Sequence, residues 1–507
     1  MSEIISREIP DKIYTSQQVK VGEKELTEKK GLEMYTLMKR AGQAVYALIQ
    51  LQYPSADRIL VFCGSGNNGG DAFVVATLAK LDGRNVSLIF NGKKERLSED
   101  SLRAYQEWID SGGDITEISE EEDIVSSFDI IVDGLLGTGI SGKVRPQLQN
   151  LISKINHLSI PIVSIDVPSG LCSDTGGKLG EVIKSDHTVS FIGVKRGLLT
   201  GYARNYVGEL FFAGLGIEDE FQSRYPTNAF VLSKAEALNC LPKRESIAHK
   251  GRNGRLLCLG GNSGYSGAIN LCSRAAARTG TGLIKVLCHK DSSVSLQVSC
   301  PEVMTQNWCG DNRDLRDALL FADVVALGPG MGRDQWAKQL YMRVSDIDKP
   351  KVLDADALYF LSLAPNKDPY RVLTPHPGEA AMLLGLTVKE IEQDRFSAVR
   401  DLQEKYGGVI VLKGAGTLIY DGNFIYICNA GSSAMASGGM GDILTGIVSS
   451  LLAQGQSLIE AAKTGVLLHS VAADQIAKRE GPVGLLAGDV IQEARQVMNL
   501  WLSESSL

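Results

Sequence analysis

The apolar positions of this chain fall into two rhythms that alternate from one end to the other. Short, nearly unbroken hydrophobic runs at Ile59–Cys63, Val86–Phe90, Asp129–Val132, Ile162–Ile165 and Thr188–Ile192 read as strands. Between them apolar residues return every three to four positions, the period of an amphipathic helix. Leu32–Ile49 (LEMYTLMKRAGQAVYALI) is the clearest such stretch, and residues 1–50 as a whole read as helix. Strands that alternate with helices imply a parallel sheet covered on both faces. The rhythm lapses over Gly216–Thr227, which is charged and contains a proline, and then resumes. Further strands are expected at Leu256–Leu259, Leu283–Leu287, Val324–Leu327, Val352–Leu353, Arg371–Leu373, Val409–Leu412 and Phe424–Ile427. Ile443–Leu452 and Leu458–Ile476 are expected to be helices with a break at Gly455.

A chain of 507 residues exceeds what one hydrophobic core usually organises, so the lapse reads as a boundary between domains at 1–220 and 227–507. A net charge of −7 lacks the basic bias that nucleic acid requires, and the acidic run Glu117–Asp123 reads as a solvated face. The cysteines form no CxxC pair and no zinc spacing, as expected of free thiols in a reducing compartment. The opening MSEIISREIPDKIY lacks the apolar core of a signal peptide, and no run approaches the roughly twenty apolar residues of a membrane span. A cytoplasmic α/β protein is expected, with neither membrane nor nucleic acid as partner.

The chemistry-bearing residues gather after the strands. Arg58–Val75 (RILVFCGSGNNGGDAFVV) and Arg255–Gly267 (RLLCLGGNSGYSG) each run a strand into a glycine-rich turn, where N–H groups and a helix N-terminus can cradle phosphate. In the first half, GSGNNGGD places Asn67, Asn68 and Asp71 after a strand. DIIVDGLLGTGISG places Asp133 at a strand end and adds the loop Gly137–Gly142, and IPIVSIDVPSGL places Asp166 and Ser169 after another strand. One Asp in such a setting is ordinary turn chemistry. Three carboxylates at one sheet edge need a cation or a proton-transfer role to offset their repulsion.

Together these three segments resemble the NAD(P)H-hydrate epimerase domain, a Rossmann-like doubly wound sheet. The resemblance implies that Asn67, Asn68, Gly69, Gly70 and Asp71 hold the hydrated dinucleotide together with Gly137, Thr138, Gly139, Ile140, Ser141, Gly142 and Lys143. It implies potassium on Asn68, Asp133 and Ser169, and it makes Asp166 the substrate-facing acid/base residue, with Lys195 of FIGVKRGLLTG as a second member. Ala72 stands where the family usually has glycine, and a tight helix start is expected there. The epimerised carbon bears a hydroxyl beside the ring nitrogen. Loss and return of water or a ring-opening route would each invert it, and the residues leave both open.

In the second half, Ala436–Asp442 (ASGGMGD) leads into the apolar ILTGIVSSLL. Gly438, Gly439 and Gly441 at a helix start expose N–H donors to developing negative charge, and Asp442 is placed to accept a proton. That pair of tools suits phosphoryl transfer to a hydroxyl, and a helix cap alone does not need so many glycines. Gly328–Gly332 (GPGMG), Pro375–Glu379 (PHPGE) and Lys413–Thr417 (KGAGT) follow other strands, while His249–Gly251 precedes the first. His157, His187, His289 and His469 occupy no comparable setting.

With Leu353–Leu358 (LDADAL), these motifs resemble the ribokinase-like dehydratase of the same repair chemistry. The resemblance implies that Gly330 and His376 contact the hydrated dinucleotide and that Asp442 meets it as base. It assigns the nucleotide to Lys413, Gly414, Ala415, Gly416 and Thr417, and to Ser432, Ser433, Ala434, Met435, Ala436, Ser437, Gly438, Gly439, Met440 and Gly441. A fused layout of this type implies ADP as phosphoryl donor, and the resemblance implies a homo-oligomer. Magnesium on the donor is expected from phosphoryl-transfer chemistry, with Asp354 and Asp356 as candidates to act through it. The expected protein epimerises hydrated NADH or NADPH and dehydrates the S form, giving AMP and phosphate. Its rival is a kinase of a small vitamin alcohol fused to a noncatalytic nucleotide module. Asp71, Asp133 and Asp166 speak against such a module.

Overall fold

Strands buried on both faces need apolar residues at every position, and Ile59–Cys63 and Ile130–Val132 supply them. The computed structural model describes residues 4–116, 128–140 and 142–504, and divides into two units, Met1–Phe230 and Val231–Leu507. Glu117–Asp123 lies outside the described residues.

The first unit contains a seven-stranded parallel sheet. Its order is Ile115–Thr116, Asn85–Phe90, Arg58–Cys63, Ile130–Gly134, Ile162–Ile165, His187–Phe191, Glu209–Ala213. Chain order reverses between Arg58–Cys63 and Ile130–Gly134, the switch point at which a doubly wound sheet opens its ligand crevice. Ile59, Val61 and Cys63 pack with helices Met34–Gln52, Asn67–Leu81 and Glu99–Asp110. Leu60 and Phe62 face the other way, onto helix Pro146–Asn156.

The N-terminal fifty residues are not helix throughout. Lys12–Tyr14 is a short strand, parallel to Val194–Lys195 on one side and antiparallel to Ala229–Phe230 on the other. Helix Ser16–Lys30 then starts on a Thr15–Gln18 capping box and stops at Gly31, whose φ of 62° is left-handed. Helix Met34–Gln52 follows. Local start and stop signals thus divide a segment that periodicity alone would join.

In the second unit, parallel strands run in the order Met304–Asn307, Leu283–Cys288, Arg255–Leu259, Val324–Leu327, Lys351–Leu353, Arg371–Leu373, Val409–Leu412. The antiparallel hairpin Leu418–Tyr420 and Ile425–Ile427 extends this sheet. Helices Ser266–Thr279, Met440–Ala453, Leu458–Glu480 and Ala487–Glu504 share one core with Leu256, Cys258, Ala326 and Val352. Met440–Ala453 and Leu458–Glu480 flank Gly455, as their pattern predicts. No helix among the described residues is long and apolar enough to cross a membrane.

Arg395 anchors the end of strand Val409–Leu412. It is wholly buried, pairs with Glu392 at 2.7 Å and donates to the carbonyls of Leu412 and Lys413 at 3.0 Å. Arg395→Met leaves Glu392 unpaired and both carbonyls short of a donor, so guanidinium denaturation is expected to show a loss of about 3 kcal/mol or more.

Candidate active sites

The turn after Arg58–Cys63 closes on itself before helix Asn67–Leu81 begins. A methyl on Gly69 would stand 1.9 Å from the Gly64 carbonyl oxygen, so only glycine permits this approach. The helix starts at Asn67 with Ala72 fully buried in its second turn, the tight start expected there. Beneath the turn, Asp133 accepts bonds from the Ser169 hydroxyl (2.5 Å), the Ser164 hydroxyl (2.8 Å), and the N–H groups of Ser169 (2.9 Å) and Leu135 (3.3 Å). These four donors are neutral, and burial holds the carboxyl above its ordinary range despite them. The Asn68 amide donates to the Leu136 carbonyl, which also accepts from Ser169. Asn68, Asp133 and Ser169 are therefore knit together through Leu136.

A cavity of about 740 Å³ opens above this network. Asn67, Asn68, Asp71, Gly137, Thr138, Gly139, Ile140, Lys143, Asp166 and Lys195 line it. Gly69 and Gly70 are buried behind it in the first helical turn, Gly142 is exposed outside it, and Ser141 lies outside the described residues. Asp166 adopts φ 60°, a strained value for a residue other than glycine, with its N–H on the Val189 carbonyl. That backbone aims the side chain at Lys195, Phe191 N–H (3.1 Å) and Ser190 (3.3 Å), all of which donate to Asp166 Oδ1. Lys195 is buried and also holds the Phe191 carbonyl at 3.1 Å. Burial drives the Asp71 carboxyl well up, Glu23 and Asp166 add to the effect, and Lys195 opposes it. Glu23, which the strand-end motifs do not reveal, also lines the cavity.

In the second unit, four neighbouring strand ends converge. They deliver Gly328–Gly332, Asp354, Thr374–Glu379 and Lys413 to one edge of the sheet. Asp354 is 2% exposed and receives Lys413 Nζ (2.8 Å) and the Thr445 hydroxyl (2.8 Å). Burial pushes Asp354 up, but Lys413 and the hydroxyls of Thr445 and Thr374 bring it below its ordinary range. Lys413 also lies 3.7 Å from Glu379, whose carboxyl burial raises. His376 caps helix Pro377–Leu384, its Nδ1 accepting from Gly378 and Glu379 N–H. Nε2 then lies 3.5 Å from Glu379 Oε1.

Helix Met440–Ala453 approaches this cluster through Gly441. A methyl there would stand 3.2 Å from Lys413 Nζ and 3.5 Å from Asp354 Oδ2. Asp442 lies in the first turn, where burial and the charges of Asp354, Glu379 and Asp356 push its carboxyl up to about 7 against Lys413. His469 feels Lys413 too, and burial pushes its imidazole down to about 4. The Asp354 and Asp356 pair is already committed to protein donors, since Asp356 accepts from Gly332 N–H (2.8 Å) and Arg333 (3.0 Å). The Gly330 carbonyl accepts Asn262 N–H at 2.7 Å. Gly414 and Ala415 are exposed, Gly416 is buried, and Thr417 donates to the Gly414 carbonyl. Ser432 and Ser433 are exposed on a short turn ending at Met435, with Ala434 buried, and Ser437 donates to the Leu485 carbonyl. Gly438 and Ala436 are exposed, whereas Met440 is buried at the helix start after Gly439.

Fold and sites define a two-site α/β enzyme, with a Rossmann-like first half and a ribokinase-like second half. Residues 34–197 match the family model described as YjeF-related protein N-terminus, and residues 256–496 match the one described as NAD(P)H-hydrate dehydratase. The chain is similar to the bifunctional NAD(P)H-hydrate repair enzyme of Vibrio cholerae serotype O1, 47% identical over 97% of this chain and 99% of the relative. It is 42% identical to the enzyme of that description from Escherichia coli K12, over 97% and 95% of the two chains. A solved ribokinase-like superfamily protein from Enterococcus faecalis V583 is 30% identical with a TM-score of 0.51, covering 55% of this chain and 98% of its own. The chain belongs to the family of bifunctional NAD(P)H-hydrate repair enzymes.

Lys413→Met strips the only cation in contact with Asp354 among the described residues and leaves Glu379 beside it without that ammonium. Thermal and denaturant unfolding are expected to show a loss of about 3 kcal/mol or more at neutral pH. Asp354 titrates below its ordinary value in the folded state, so its contribution is present above about pH 4 and fades as pH falls through the native value. The gap between variant and parent should therefore narrow in acid.

Proposed function

We propose that the first unit interconverts the R and S epimers of hydrated NADH and NADPH, and that the second dehydrates the S form with ADP as phosphoryl donor. The carrying observation is that each half sets a carboxylate beside a lysine at glycine-rich strand ends. These pairs are Asp166 with Lys195, and Asp442 with Lys413. Glycine N–H groups beside each pair can receive phosphates.

In the second unit, Asp442 takes the proton of the C6 hydroxyl as its oxygen attacks the β-phosphorus of ADP. The N–H groups at the start of helix Met440–Ala453 stabilise the charge on the moving phosphoryl group. Hydroxide leaves poorly but phosphate leaves well. Loss of phosphate from C6 and of a proton from C5 gives NAD(P)H, phosphate and AMP. Magnesium would ride on the phosphates of the nucleotide and offset their charge. That fits a site whose Asp354 and Asp356 already pair with cations, Lys413 and Arg333. In the first unit, Asn68, Asp133 and Ser169 would hold potassium. A buried carboxylate with only neutral donors and a nearby carbonyl offers hard oxygen ligands, and the ion would supply positive charge under the dinucleotide. Pools of NADH and NADPH are where such hydrates arise, which supports a cytoplasmic setting.

Absorbance at 340 nm, followed on mixed R/S hydrated NADH with ADP, ATP or neither, tests the reading. ADP-dependent recovery of the whole mixture, faster than spontaneous epimerisation, is the expected result. Recovery of the S fraction alone would remove the epimerase. A stable phosphorylated product without NADH would favour the vitamin-alcohol kinase.

Asp166→Asn is expected to slow R-to-S conversion by about 100-fold or more and leave dehydration of the S form intact, whereas Asp442→Asn does the reverse. The base form of Asp442 grows as pH rises through about 7, so kcat/KM for dehydration should climb to that point and level above it. A flat profile from about pH 5 to 8 would assign the proton elsewhere.

A further inference from the structure

Glu23 stands on helix Ser16–Lys30, before the residue at which the first family match begins. This helix buries Val19, Gly22, Leu26 and Thr27, and position 23 shares their face, four residues after Val19 and three before Leu26. A carboxylate on the buried face of an amphipathic helix costs free energy unless it is paired or used. Among the described residues, no hydrogen bond or ion pair engages the Glu23 carboxylate, which faces into the cavity. Its position is nevertheless fixed. Ser16, at the start of the helix, bonds twice to Asp174, at 2.6 and 2.9 Å. The preceding strand pairs with Val194–Lys195, so Glu23 and Lys195 are referenced to one piece of backbone.

Asp166 is held as an acceptor by three donors, whereas Glu23 has none. Exchange of a hydroxyl between the two faces of a ring needs one group to give a proton and another to take one. We infer that Glu23 is the second acid/base residue of the epimerase site, protonating the C6 hydroxyl of the hydrated dinucleotide while Asp166 serves water on the opposite face. The inference rests on the epimerase reading above. As the C6–O bond breaks, its electron pair leaves with the oxygen, the Glu23 proton completes a water molecule, and the N1 lone pair closes a C6–N1 double bond. Water then adds to the other face and passes a proton to Asp166. Proton exchange with solvent resets both carboxyls, so nothing is gained or lost overall.

Burial brings the Glu23 carboxyl up to about 7, with Lys195 and Lys20 opposing and Asp166 and Asp100 reinforcing, and Asp71 faces it as well. A proton is thus available at neutral pH and scarce above it.

The test compares full-length parent, E23Q and E23D on purified R-hydrated NADH. Chromatography follows the S epimer from about pH 5 to 9, and circular dichroism with thermal unfolding reports on the fold of each variant. The parent is expected to lose epimerisation as pH rises through about 7. E23Q should be about 100-fold slower in kcat and lack that limb, while E23D, which keeps the proton, restores part of both. E23Q with the rate and pH limb of the parent overturns the inference. So does an E23Q that keeps the kcat and limb of the parent and changes only KM, which would make Glu23 a packing residue. A parent that leaves the R epimer unchanged, yet dehydrates the S epimer, defeats the epimerase reading itself and the inference with it.

Discussion

One ammonium cannot neutralise three carboxylates, and both halves of this protein are built on that imbalance. Lys195 faces Asp166, Asp71 and Glu23, and Lys413 faces Asp354, Glu379 and Asp442. Burial is the largest push on Glu23, Asp71, Glu379 and Asp442 towards the protonated form, and neighbouring carboxylates add to it where the one ammonium does not offset them. The effect is not shared equally. Asp354 is pinned by Lys413 and two hydroxyls and titrates low, whereas Asp442 and Glu379, raised first by burial and then by the Asp354 charge, titrate high. A carboxyl poised near neutrality results from fixing its neighbour.

The parallel sheet is what makes such crowding attainable. Side-by-side strands deliver their carboxyl ends to one edge, so residues far apart in the chain meet without long loops. Asp354 and Lys413 are separated by 59 positions yet lie at the ends of strands divided by a single strand. Gly441 then lets a helix N-terminus enter the same cluster, adding N–H donors without adding bulk. In the first unit, the reversal of strand order opens the cavity and the unusual backbone of Asp166 turns one carboxylate into it.

Most of this scaffold is legible along the chain. Ile162–Ile165, Val324–Leu327, Arg371–Leu373 and Val409–Leu412 stand where their apolar runs end, because fully buried strands have no polar interruptions to blur them. The glycine turns and the helix after Asp442 are equally plain. Strand Lys12–Tyr14 is not, because three residues carry no period and its partners lie near positions 194 and 229. Glu23 is hidden for a different reason. On a helix an acidic residue reads as solvent-facing, and only the neighbours Val19, Gly22 and Leu26 mark its side as interior. The Asp354 and Asp356 spacing resembles a metal pair, yet distant donors claim both. Motifs report which groups reach a site, and partners across the fold decide what each group is free to do.

Strand Lys12–Tyr14 also sets a clock. Ile13 pairs with Val194 and with Ala229, and Lys12 reaches Gln222 across 210 positions. At roughly 5–20 residues per second, a ribosome needs about 10 to 40 seconds to supply those partners after the strand is made. Until then the strand before the first helix has no partner to fix it. During synthesis the epimerase pocket is therefore among the last parts of its unit to assemble, and the nascent chain carries an unseated, partly apolar N-terminal arm while the central sheet is already forming.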